Sequence, residues 1–208
     1  MILRSGIERG TGMRTLIAMM IAAGIATSAT AEDGVEVTVD ESSPAMHMII
    51  GKQKVWATPA FEDYMYMFFD LCDAMELKVG EECQIYPMNA EIGLNALATE
   101  QNGNRLILYD RRLSAEVGGE GAQMIIAHEL GHHYCGHLGK HGDASLELEA
   151  DRFAAAAMRK AGMSLDAAMS VLPILSERPS KSHPGREARV AAIKAGWENP
   201  ETGKDCRK

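Results

Sequence analysis

Beyond residue 31 the chain has no stretch approaching eighteen consecutive apolar residues, so nothing in its body reads as a membrane-spanning helix. It also lacks an excess of positive charge: 21 Lys and Arg stand against 29 Asp and Glu, a formal net charge of −8. The charges are spread rather than blocked, so they act mainly on solubility. Their sign disfavours nucleic acid and anionic lipid as partners. No internal repeat and no low-complexity tract appears, which excludes a solenoid or a linker-like chain.

What is present begins with an export signal. Arg4, Arg9 and Arg14 precede an apolar run over residues 16–26, and Ala29-Thr30-Ala31 forms a small-residue cleavage site before Glu32. Met13 is an alternative start, since Met13-Arg14 leads directly into the apolar run. That run is too short to span a bilayer comfortably, and the residue directly after the cleavage site is Glu32 rather than a Cys that could carry a lipid. The expectation is a signal peptide over residues 1–31, an exported protein in the periplasm, and no stable membrane insertion after cleavage. An uncleaved anchor is the competing reading. Removing three Arg and one Glu with the signal moves the net charge from −8 to −10 and leaves 177 residues (32–208), enough for one domain with a real core.

All four cysteines, Cys72, Cys83, Cys135 and Cys206, lie after the signal. In an oxidising compartment an even number invites pairing, and four allow three connectivities. Cys72 and Cys83 bracket a short helix exit and turn, which favours that bridge and leaves Cys135 with Cys206.

The most informative string is His128-Glu129-Leu130-Gly131-His132. Residues four apart project from one helix face, so two imidazoles can grip one zinc ion, and the adjacent Glu129 is placed to take a proton from an attacking water. Apolar residues lead into the string and Gly136 falls where the helix would stop. Gly131 costs such a helix roughly 1 kcal/mol against Ala. It is useful there only if another backbone must approach closely. Two satisfied core histidines are the bland alternative, which leaves a charged Glu129 with no purpose.

Two histidines leave zinc short of a third protein ligand. A metzincin pattern would need Gly at 135 and His at 138. The chain has Cys135 and Leu138, with Gly136 and His137 each one place off, and that slip turns a helical side chain by about 100°. A later helix offers a carboxylate: in Leu146-Glu147-Leu148-Glu149-Ala150-Asp151, Glu147 and Asp151 share a face while Glu149 points elsewhere. Glu147 suits a ligand, with Asp151 one turn on to accept the free ring N–H of a ligand histidine. A solvated acidic turn at a helix start is the alternative. Cys135 shares a face with both histidines but points past the metal.

The remaining pattern suggests a strand at residues 35–39, an unclear stretch at 42–55 and a helix at 59–76. Strands follow at 84–87, 92–99 and 105–109, the last two joined by a turn at Gln101-Asn102-Gly103-Asn104. The main helix starts at Ser114 or Gly121 and ends at Cys135. Further helices follow at 146–160, from Ser164 toward Leu172, and from Pro184 to Lys194. The fold class expected is α+β, mainly helical, with a small antiparallel sheet.

Four stretches, in order, carry a resemblance: Asn95-Ala96-Leu97-Ala98 with the strand Arg105-Leu106-Ile107-Leu108-Tyr109-Asp110; the string around His128 with Gly136-His137; Glu147-Leu148-Glu149-Ala150-Asp151; and Ser182-His183-Pro184 with Arg189. Together the chain resembles the gluzincin metallopeptidases of the HtpX and CAAX-prenyl-protease type, above all their small periplasmic relatives. The short spacing between His132 and Glu147 also resembles the cytosolic ImmA/IrrE type, against which the export signal argues. The resemblance implies a zincin-like domain over residues 32–208 holding one zinc ion through His128, His132 and Glu147, with Glu129 as catalytic base. It also implies a zinc endopeptidase acting on polypeptides, with misfolded or unassembled exported proteins as plausible clients. The strand at 105–109 would be the edge that pairs with an extended substrate. His183 would sit near the metal, as an oxyanion donor or as a latch on the open position, and Arg189 would brace that region. The contrasting expectation is a zinc-stabilised binding or chaperone-like module with little turnover.

Overall fold

The computed structural model describes residues 28–30, 36–39, 46–50, 52–60, 62–140 and 143–206. The export signal expected over residues 1–31 lies outside the described residues, apart from the three that form β1. Seven strands make one mixed sheet: β1 (Ser28–Thr30), β2 (Glu36–Val39), β3 (Met46–Ile50), β4 (Gln53–Pro59), β5 (Ile85–Ala90), β6 (Ala96–Gln101) and β7 (Asn104–Tyr109), in the order β1-β2-β3-β4-β5-β7-β6. The five strands β3 to β7 form its body. The helices are α1 (Glu62–Ala74), α2 (Leu113–Tyr134), α3 (Ala144–Lys160), α4 (Leu165–Met169) and α5 (Arg186–Glu198), with 3-10 turns at Leu172–Ile174 and Pro200–Lys204. The α+β class holds.

The expected antiparallel sheet is corrected in one pairing. β5 runs parallel to β7 because β6 passes outside before the chain returns between them. The β6–β7 turn is Asn102-Gly103, both at positive φ (51° and 78°). That two-residue turn matches the twist of an antiparallel pair. β7 is therefore an inner strand. Its side chains are buried on both faces, Ile107 and Tyr109 toward the helices, Leu106 and Leu108 toward Met48, Val55, Ala57 and Met88. A near-continuous apolar run is what such a strand requires. The expectation that residues 105–109 form the edge is overturned: at that end of the sheet the edge strand is β6.

The two candidate starts of the main helix are both present in α2. It opens at Leu113 and is broken at Gly118, whose φ of 69° and ψ of −177° leave the helical region before the longer segment resumes. α2 packs against α3 closely. A Cβ on Gly131 would lie 3.2 Å from the Ala150 Cα and carbonyl oxygen and 3.2 Å from the Phe153 Cβ. This close backbone approach is what the glycine inside the motif predicts. α5 comes closer still to α3 at Gly196, where a Cβ would fall 2.2 Å from the Arg152 carbonyl oxygen. Disulfides join Cys72 to Cys83 and Cys135 to Cys206, the expected pairs.

Candidate metal centre

The i, i+4 spacing on α2 brings the His128 and His132 Nε2 atoms within 3.0 Å of each other. Asp143 caps α3 by accepting from the Ser145 amide, and the first turn of that helix delivers Glu147. Its two oxygens lie 3.5 Å from the Nε2 atoms of His128 and His132 respectively. One ligand atom from each of the three residues lies within 4.8 Å of the others, so the group could hold a metal ion. Two imidazole nitrogens and one carboxylate oxygen form a mixed nitrogen and oxygen donor set of the type that holds divalent metal ions. Cys135 is not part of the group, because it is bonded to Cys206.

Each histidine has its other nitrogen occupied. His128 Nδ1 lies 2.9 Å from Asp151 Oδ1, and Arg189 on α5 reaches both oxygens of that carboxylate at 2.6 and 2.8 Å. Asp151 thus stands between His128 and Arg189 and contacts both. His132 Nδ1 lies 3.0 Å from His137 Nδ1, and His137 Nε2 lies 3.3 Å from Glu149 Oε2. Glu149 does point away from Glu147, as expected, but toward a buried partner rather than solvent.

These contacts set the ionisation. Burial disfavours the charged form of His128, yet bonds to Asp151 and Glu147 outweigh it and raise the pKa to about 9. Burial, then the charge of His128, push His132 down to about 3. Burial also opposes ionisation of Glu147 and Asp151, but the histidines around Glu147 and the Arg189 and His128 contacts of Asp151 hold both carboxyls low.

Glu129 is buried beside His128, and burial raises its pKa. One oxygen accepts the Ala98 amide of β6 at 2.6 Å. That N–H therefore faces away from β7, out of the sheet edge and into the cleft. The cleft, roughly 560 Å³, has β6 along one wall. Leu113, Met124 and Ile125 of α2 line it together with Val171, Ile174 and Leu175. His183 stands at the rim, its Nε2 4.0 Å from Glu147 Oε2 and its side chain 58% exposed.

The contacts of His137, Glu149 and the Ala98 amide were not foreseen. A signal existed for the first two: His137 follows a helix-stopping glycine, and Glu149 lies two residues from each of two acidic neighbours assigned to the site. Asp110 was also missed. It accepts the Ile92 and Leu94 amides and so shapes the loop leading into β6. Among the described residues no helix is long and apolar enough to cross a membrane. No family model, no curated protein and no solved structure matches the chain.

Proposed function

We propose that this chain is a zinc-dependent endopeptidase of the bacterial cell envelope, a small gluzincin of the HtpX and CAAX-prenyl-protease kind with a zincin-like fold. The observation that carries the reading is the convergence of His128, His132 and Glu147 from two helices, with the Glu129 carboxylate beside them and facing a sheet edge. Bound zinc would supply Lewis acidity at the scissile carbonyl and lower the pKa of an attacking water. The protein's own groups do the rest. Glu129, its proton affinity raised by burial, takes the proton of that water on a carboxylate oxygen and delivers it to the leaving amine. Arg189 and Asp151 hold His128 in the tautomer that presents Nε2.

The substrate is an extended polypeptide that adds to β6. An edge strand offers unpaired backbone groups, and main-chain pairing gives affinity with little demand on sequence. The Ala98 amide, held by Glu129 in the free protein, is one such group and lies next to the proposed base. Apolar side chains of the substrate enter the part of the cleft lined by Met124, Ile125 and Val171. Unfolded exported proteins fit this chemistry, since folding failure exposes apolar, extended segments. The export signal and the two disulfides support a periplasmic setting.

The test is hydrolysis of casein by the purified protein, with and without a chelator. Cleavage that stops with chelator and returns with zinc is expected. Binding of unfolded protein without any cleavage would contradict the proposal and favour a chaperone-like module.

A further inference from the structure

The C-terminal end of α2 is closed by a turn in which Cys135 caps the helix, Gly136 takes a φ of 66° and His137 follows. The Gly136 amide donates to the His133 carbonyl at 3.2 Å and the His137 amide to the His132 carbonyl at 3.0 Å. These paired bonds are those of a Schellman turn, which folds the residue beyond the glycine back over the helix residue three places before the cap. A hydrophobic contact frequently accompanies it. Here the two residues are His137 and His132. Their Nδ1 atoms are 3.0 Å apart, and His137 continues to Glu149 with both side chains only 2% exposed.

A neutral imidazole carries one N–H, so a chain of two rings ending on a carboxylate has a direction. If His132 holds a cation through Nε2, its proton is on Nδ1 and needs an acceptor. His137 Nδ1 is that acceptor. His137 then carries its own proton on Nε2 and donates it to Glu149. We propose that His137 and Glu149 are positioning residues for His132: they fix its tautomer and ring orientation, and the helix C-cap is thereby part of the cation site. The inference rests on the metal reading above. His128 reaches its carboxylate directly, while His132 reaches one through an imidazole held over it by the turn.

The experiment measures zinc dissociation constants by competition with a chromophoric chelator, alongside thermal unfolding of the metal-free proteins. The double variant H137L/E149M replaces both partners with apolar groups, a change that can be nearly neutral for stability. It also leaves the backbone turn available. Loss of roughly 10- to 100-fold in zinc affinity is expected, the range for partners that orient metal ligands, with the metal-free midpoint close to wild type. H137Q, whose amide can both accept from His132 and donate to Glu149, should recover part of the loss. Wild-type affinity in H137L/E149M, with binding abolished in H128A, overturns the relay and leaves the metal site standing. Equally poor binding by wild type and H128A overturns both. Should the double variant not fold, H137L alone carries the test, since leucine cannot accept from His132: weakened binding supports the relay, and unchanged binding overturns it.

Discussion

Asp110, 1% exposed, accepts backbone amides from Ile92, Leu94 and Arg112 and two further bonds from the Arg112 guanidinium. Arg112 first, then the Leu94 and Arg112 amides, hold its carboxyl well below the usual range against the opposing effect of burial. A carboxyl with a lowered folded pKa contributes stability that is complete above its unfolded value, near 3.9, and lost as pH falls through the folded value. Asp110→Asn should cost about 2 kcal/mol at pH 7, chiefly through the backbone bonds, since Arg112 is half exposed. Urea unfolding at pH 7 and pH 2.5 checks this: the gap between variant and wild type should narrow at the lower pH. A constant gap would contradict the assignment. His183 yields a second prediction at this scale. Its exposed ring does not seal the cleft, so His183→Ala should lower kcat by about 100-fold with KM little changed, as for loss of an oxyanion donor. Activity that rises instead would identify a latch.

At the scale of elements, the α2–α3 and α3–α5 contacts decide where His128, His132 and Glu147 stand. Gly131→Ala gains roughly 1 kcal/mol of helix propensity. It also places a methyl 3.2 Å from α3 backbone atoms, which forces the helices apart. Overpacking costs about 1–3 kcal/mol, so a small net loss of stability and weaker zinc binding are expected, because Glu147 moves with α3. Gly196→Ala meets the Arg152 carbonyl at 2.2 Å and should destabilise clearly more. Thermal unfolding of the two variants gives the ranking, and the reverse order would contradict the packing. The helices were legible in sequence because their apolar periodicity and caps are local. β3 and β4 were not, because the outward-facing Trp56 is itself apolar, so the inward Val55 and Ala57 show no apolar–polar alternation in sequence. The edge strand was misassigned because its place in sequence just before α2 decided it, whereas the chain runs through β6 first and returns inside it, and Ala96 to Gln101, with small and polar residues, carries the edge pattern. His128, His132 and Glu147 were readable from helix geometry. The His137–Glu149 contact was not, since it passes through a turn and between two helices.

Over the whole molecule, the disulfides differ in reach: Cys135–Cys206 spans 71 residues and Cys72–Cys83 spans 11. Loop-closure entropy assigns them about 4 and about 3 kcal/mol respectively. Removing Cys135 and Cys206 together should therefore lower the unfolding midpoint more than removing Cys72 and Cys83, and equal or opposite losses would contradict that ledger. The longer bridge also ties the chain's last turn to the end of α2, so the first pair of substitutions should weaken zinc binding and the second should not. The account as a whole depends on one division of labour, between residues that hold the metal and the residue that moves the proton. Glu129→Gln, His128→Ala and wild type, each assayed for bound zinc and for casein hydrolysis, test it directly. The account predicts that Glu129→Gln keeps its zinc and loses hydrolysis, while His128→Ala loses both. A Glu129→Gln protein cleaving casein at the wild-type rate would contradict it.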